Sequence, residues 1–199
     1  MSSFRQSIVH TNSRSNRIGM FGHYCVGFAG NTGSGKSGGG GSYINCGNPP
    51  LYANLSGART LCAWVLPWQP ANGNNGRVVS KADGSNKRGW TLEFESSLNG
   101  EAEYQVTADC VNTVGTPTTM PIAANQWIHL AAVYDPTVPS LTIYTNGYMN
   151  NTVTGVPTPQ CTNVANNVYI GNRVGGGTAM IGLIDDVRIY NNALTQSDI

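Results

Sequence analysis

The sequence predicts an all-β fold, an antiparallel jelly-roll sandwich of two sheets, from three observations. Short runs of β-branched and aromatic residues recur roughly every 8 to 14 residues, with turn residues between them. No long segment carries apolar residues at helical spacing. The third observation is the stretch Asn125 to Gly147, NQWIHLAAVYDPTVPSLTIYTNG. There Trp127, His129, Ala131 and Val133 share one side of an extended segment and Ile128, Leu130, Ala132 and Tyr134 share the other. A strand so apolar on both faces belongs between two layers.

Taken in order, Met1 to His23 has no steady period, and its Ser, Asn and Arg content predicts an arm ordered by contact with something else. The domain proper then spans residues 24 to 199. Tyr24 to Ala29 and Tyr43 to Gly47 read as short strands, separated by the glycine-rich loop Gly30 to Ser42. Arg59 to Leu66 is a core strand stopped by Pro67, and its Trp64 reads as a packing residue. Trp68, beyond the break, is the better candidate for an exposed ring.

Arg77 to Lys81 is a strand between the loops Asn72 to Gly76 and Asp83 to Lys87. In Gly89 to Glu95 the alternation puts Trp90, Leu92 and Phe94 inside and Thr91, Glu93 and Glu95 outside, which predicts a half-exposed strand. Glu101 to Ala108 is its hairpin partner. Asp109 to Ala124 is turn-rich and reads as irregular. Asp135-Pro136 interrupts pairing because proline has no N–H to donate. Ser140 to Thr145 resumes it, and Asn146-Gly147 is a strong hairpin signal that returns the chain through Tyr148 to Thr154. Asn167 to Gly171 and Met180 to Tyr190 are the last strands, with the loop Val174 to Thr178 between them, and Asn192 to Ile199 holds one helical turn.

The composition narrows the function classes. At 199 residues the chain suits one all-β domain. Charged residues make up 11%, well below the roughly 25% of an average domain, and the formal net charge is +1. With no dense run of Lys or Arg, neither nucleic acid nor an anionic membrane surface is an expected partner. No apolar run is long enough to cross a bilayer, and Met1 to His23 lacks the hydrophobic centre of a secretory signal. The five cysteines, Cys25, Cys46, Cys62, Cys110 and Cys161, have no zinc spacing. They form disulfides with one left over in an oxidising compartment, or stay as buried thiols in a reducing one.

One motif is a decoy. Gly30, Gly35, Lys36 and Ser37 match the phosphate-binding spacing GxxxxGK[ST], which depends on a helix starting at the lysine. Four glycines follow instead, each costing about 1 kcal/mol in a helix relative to alanine, so no nucleotide is expected.

Assembled, TLCAWV (Thr60 to Val65), VVSK (Val78 to Lys81), GWTLEF (Gly89 to Phe94), NQWIHLAAVYD (Asn125 to Asp135), LTIYTNG (Leu141 to Gly147), VYIGN (Val168 to Asn172) and GLIDDVRIYNNALTQSDI (Gly182 to Ile199) resemble the laminin G-like jelly-roll family. That family lies within the concanavalin A-like lectin and glucanase group. The resemblance implies glycan binding, protein adhesion, calcium-dependent binding or pure architecture, and fold alone does not choose among them.

Glycosidases of the wider group place two carboxylates across the scissile bond, usually on a motif resembling Glu-x-Asp-x-x-Glu. Glu93, Glu95, Glu101 and Glu103 lack the aspartate and read as surface strand charges, so no catalytic residue is assigned and no enzyme is expected. By resemblance Asp185 and Asp186 brace a strand through backbone groups, and His129 is a packing histidine. If calcium binds, its oxygens come from Asp135, Asn146, Asp185 or Asp186. Asn54 and Asn150 head N-x-[ST] sequons.

The expected function is recognition of a glycan or a protein through edge loops, outside cells or on a virion surface. The candidate contacts are Trp68, Asn72, Asn74, Asn75, Asp83, Asn86 and Arg173. The alternatives are a minor capsid, decoration or fibre protein docked onto neighbouring structural subunits by residues 1 to 23, and, behind it, a glycoside hydrolase of the same fold.

Overall fold

A computed structural model describes residues 26–28, 41–48, 57–68, 76–82, 89–94, 101–107, 113–158, 160, 165–173 and 178–199. The N-terminal arm, the phosphate-loop decoy, Asn54, Asn72, Asn74, Asn75, Asp83, Asn86, Cys25, Cys110 and Cys161 lie outside the described residues.

The strands in chain order are β1 (Val26–Phe28), β2 (Ile44–Asn45), β3 (Arg59–Pro67), β4 (Gly76–Ala82), β5 (Gly89–Phe94) and β6 (Ala102–Thr107). They continue with β7 (Thr113–Pro117), β8 (Ile128–Asp135), β9 (Ser140–Thr145), β10 (Tyr148–Thr154), β11 (Tyr169–Ile170) and β12 (Gly182–Tyr190). A 3-10 turn, Gln196–Asp198, follows β12. Two six-stranded sheets result, ordered β1-β12-β3-β8-β9-β10 and β2-β11-β4-β5-β6-β7. This is the predicted antiparallel sandwich. Among the described residues no helix is long and apolar enough to cross a membrane.

Alternation builds the core. From the first sheet Leu61, Ala63, Val65, Leu130, Ala132, Tyr134, Leu141 and Ile143 face inward, and they meet Trp90, Leu92, Phe94, Tyr104 and Val106 of the second. Charged side chains are buried as well, Arg59 among them. Its Nε donates to the Tyr104 hydroxyl at 2.7 Å, one NH2 to the Gln160 carbonyl oxygen, and its guanidinium lies 4.8 Å from the centre of the Tyr134 ring.

The strand pattern departs from expectation in two places. Residues 109 to 124 hold a strand, β7, on the edge of the second sheet against β6. Its sequence, TVGTP, carries little apolar signal, and pairing rather than side-chain burial makes it a strand. Gly115 lets the Glu103 carboxylate lie against the strand, for a Cβ there would stand 1.9 Å from Glu103 Oε1 and push that side chain aside. The polar side of β5 and β6 is also covered: Glu93 is fully buried and ion-paired with Arg77, while Glu103 is 9% exposed and accepts from Gln105. Glu93 and Glu103 are therefore not surface charges. Alternation identifies which side a residue faces but not whether that side is covered.

Candidate functional site

Cross-strand register brings a group of chemically distinct side chains onto the outer face of the first sheet. Trp64 of β3 stands opposite His129 of β8, and directly opposed residues share a face. Their rings lie 5.3 Å apart, tilted by 53°. Both are half-buried. The next strand over, β12, pairs Asp185 with Trp64 and Arg188 with Cys62, leaving Asp186 and Val187 to span the distance of one residue on β3.

This bulge is the local feature on which the site depends. Asp186 takes a left-handed conformation at φ 47°, which aspartate tolerates better than a branched residue. Val187 still points into the core, so the extra residue lets Asp186 and Arg188 meet side by side. Arg188 Nε donates to Asp186 Oδ1 at 2.8 Å, and an NH2 lies 2.6 Å from Oδ2. The fork is bidentate, and it raises the Arg188 pKa further. Asp185, meanwhile, accepts the Asp186 backbone N–H at 2.8 Å.

The β9–β10 turn forms one rim. Asn146 (φ 51°) and Gly147 (φ 81°) both occupy the left-handed region that a two-residue hairpin needs. Asn146 Oδ1 accepts the His129 N–H at 2.9 Å, and its own N–H donates to the His129 carbonyl at 2.8 Å. The opposite rim is the segment after β12. The Thr60 hydroxyl donates to the Asn192 carbonyl and accepts from the Leu194 N–H, while Ala193 and Ile199 pack over Cys62, Ala131, Val133 and Tyr144. Asp198 is exposed and bonded to the Thr195 hydroxyl and N–H, which lowers its pKa.

Between these rims lies a cleft of about 380 Å³, lined by Cys62, Trp64, His129, Asn146, Gly147, Asp186, Arg188, Tyr190, Asp198 and Ile199. That volume falls within the roughly 300–1,000 Å³ typical of small-ligand pockets. Burial lowers the His129 pKa, so the imidazole is neutral near pH 7. Burial also pushes the Cys62 thiol up to about 12, which leaves it an apolar floor rather than a nucleophile. Cys62 and Cys46 are both free.

The sequence-predicted site residues are not gathered together. Asn146 and Asp186, expected as calcium ligands, line the cleft as hydrogen-bonding groups. Asp185 sits beside them on β12. Asp135 is at the far end of β8, where its Oδ1 accepts from the Thr137 N–H and hydroxyl. With Asp186 committed to Arg188 and Asp135 distant, these four do not fit one calcium site of six to eight oxygens. Among the described residues no three His, Cys, Asp or Glu side chains cluster for a metal.

Trp68 follows β3, half-buried, its N–H bonded to the Ile181 carbonyl. Arg173 lies past β11, its N–H on Asn172 Oδ1. Neither lines the cleft. Asn150, the second sequon residue, accepts from the Thr119 N–H at 2.7 Å and donates to the Thr145 hydroxyl at 3.3 Å. Trp64 and His129, read from the sequence as packing residues, pack on each other and also line the cleft. The available signal was that both lie on the opposite side of their strands from Leu61, Ala63, Leu130 and Ala132.

The fold has many solved likenesses. The binding domain of Paraclostridial Mosquitocidal Protein 1 superposes with a TM-score of 0.63 at 16% identity, over 79% of this chain and 39% of that one. The CBM40 of the Ruminococcus gnavus IT-sialidase, bound to α2,3-sialyllactose, gives 0.61 at 13% identity, over 79% and 89%. The heptameric SAP-like pentraxin of Limulus polyphemus gives 0.55 at 19% identity, over 71% and 67%. At these identities the likeness concerns the fold, and the chain spans well under half of the mosquitocidal protein's binding domain. No curated protein matches the chain. A laminin G family model, described as the concanavalin A-like lectin/glucanases superfamily, matches residues 38–199. With that match across most of its length, the chain belongs to the concanavalin A-like lectin/glucanases superfamily, in its laminin G family.

Proposed function

We propose that this domain is a non-enzymatic binding module that takes a glycan in the cleft between the Asn146-Gly147 turn and the segment after β12. The observation that carries the reading is the meeting of tilted Trp64 and His129 rings with the bidentate Asp186–Arg188 fork in one cleft. Aromatic faces suit the C–H face of a sugar ring. A guanidinium and carboxylate held side by side offer donors and acceptors to neighbouring hydroxyls. The sialyllactose-bound CBM40 of the same fold is consistent with this use.

A hydrolytic role has less support. Both Asp186 oxygens are committed to Arg188 and an Asp198 oxygen to Thr195, whereas a glycosidase needs two carboxyls available to the scissile bond. The reading places the protein's work outside cells or on a particle surface. Saturation-transfer NMR with a set of mono- and oligosaccharides tests it. Transfer from the protein to at least one sugar, lost in Trp64→Ala, is the expected result; no transfer to any sugar contradicts it.

A further inference from the structure

We infer that the cleft selects neutral sugars and turns away acidic ones, an inference that rests on the glycan reading above. Among the described residues the only cation in the lining is Arg188, and Asp186 neutralises it through two bonds. Asp198 adds a second carboxylate at the rim. His129 contributes no charge near neutral pH, because burial favours its uncharged form. Two carboxylates thus stand against one guanidinium, and a ligand carboxylate entering the cleft meets a net negative lining.

Geometry points the same way. Recognition of a carboxylate by arginine uses two parallel N–H groups, and here Asp186 already occupies the Nε/NH2 edge of the fork. The N–H groups that Asp186 leaves over can donate to a hydroxyl oxygen, which is what a neutral sugar presents, and their charge is already offset by the Asp186 carboxylate. The bulge makes this arrangement local: Asp186 and Arg188 are two residues apart, on one strand, so the pair is preformed rather than assembled by the ligand.

The test is a binding panel at pH 7 and low salt containing lactose, maltotriose, cellotriose, chitotriose, α2,3-sialyllactose and digalacturonate. The wild type is expected to bind one or more neutral members at least roughly tenfold more tightly than either acidic member. Asp186→Asn keeps the size of the side chain and suits the left-handed backbone, while freeing the fork. It should narrow or reverse that preference. If Asp186→Asn fails to fold, Asp198→Asn, on an exposed turn, must shift selectivity in the same direction. Equal or tighter binding of sialyllactose or digalacturonate by the wild type overturns the inference and leaves the glycan reading standing. Binding of no panel member by the wild type counts against the glycan reading itself.

Discussion

Replacing Trp64 with alanine removes the largest aromatic surface of the cleft. A tryptophan presents on the order of 200 Å², and Trp64 keeps no more than about a third of its surface exposed, so up to roughly 70 Å² is available to a ligand. At 20–25 cal/mol per Å² that surface contributes up to about 1.5 kcal/mol, or roughly a tenfold loss of affinity when removed. The cost to the fold is at least comparable, because about two thirds or more of the side chain is already covered by protein. The contact with His129 is worth about 0.5–1.5 kcal/mol, and the core beneath is built from Leu61, Ala63 and Val65 on the other side of β3. Calorimetric titration of the tightest-binding sugar, together with a thermal melt of the same samples, separates the two effects. Trp64→Phe should fall between wild type and alanine. Unchanged affinity in a folded Trp64→Ala protein refutes the assignment of Trp64 to the site.

Three further predictions concern the frame around the cleft. Gly171→Ala forces a Cβ to within 2.1 Å of the Phe28 ring at a backbone φ of 82°. It should cost about 2–4 kcal/mol and lower the melting temperature by roughly 4–16 °C; a melt unchanged within a degree contradicts the packing. Tyr104→Phe leaves the buried Arg59 Nε without its hydroxyl acceptor and should destabilise by about 1–3 kcal/mol in a urea titration, while Arg59→Met together with Tyr104→Phe should cost less than the two single changes added. Burial lowers the His129 pKa below its ordinary 6.5, with Asp186 opposing and Arg188 assisting. The folded protein therefore takes up its proton later than the unfolded chain, and stability present above pH 6.5 is lost as pH falls from there to the lower folded-state value. His129→Gln should flatten that part of the urea-midpoint profile, and a slope equal to wild type argues against a buried neutral imidazole.

Much of the fold was legible because the signals were local. The alternation of Ile128, Leu130, Ala132 and Tyr134 and the left-handed Asn146-Gly147 turn fix β8, β9 and β10 without reference to the rest of the chain. The strand β7 was not legible, since Thr113 to Pro117 are strand-like only through their partners on β6. The site was harder still. Trp64, His129 and Arg188 come from three strands, and only register brings them together: Trp64 opposite His129, and a bulge that turns Asp186 toward Arg188. The Asp185-Asp186 pair stood out in the sequence as negative charge, but whether it met a metal or an arginine depended on a bulge that alternation cannot reveal.

A ligand is expected to enter the outer-face cleft of the first sheet. Chemical-shift mapping of the labelled protein during titration with a bound neutral sugar tests it directly. The largest shifts are expected on the Trp64 indole N–H, the Asn146 side-chain amide, the backbone of Asp186 and Arg188, and Gly147. Shifts confined to other faces of the sandwich, with these signals unmoved at saturation, would contradict it.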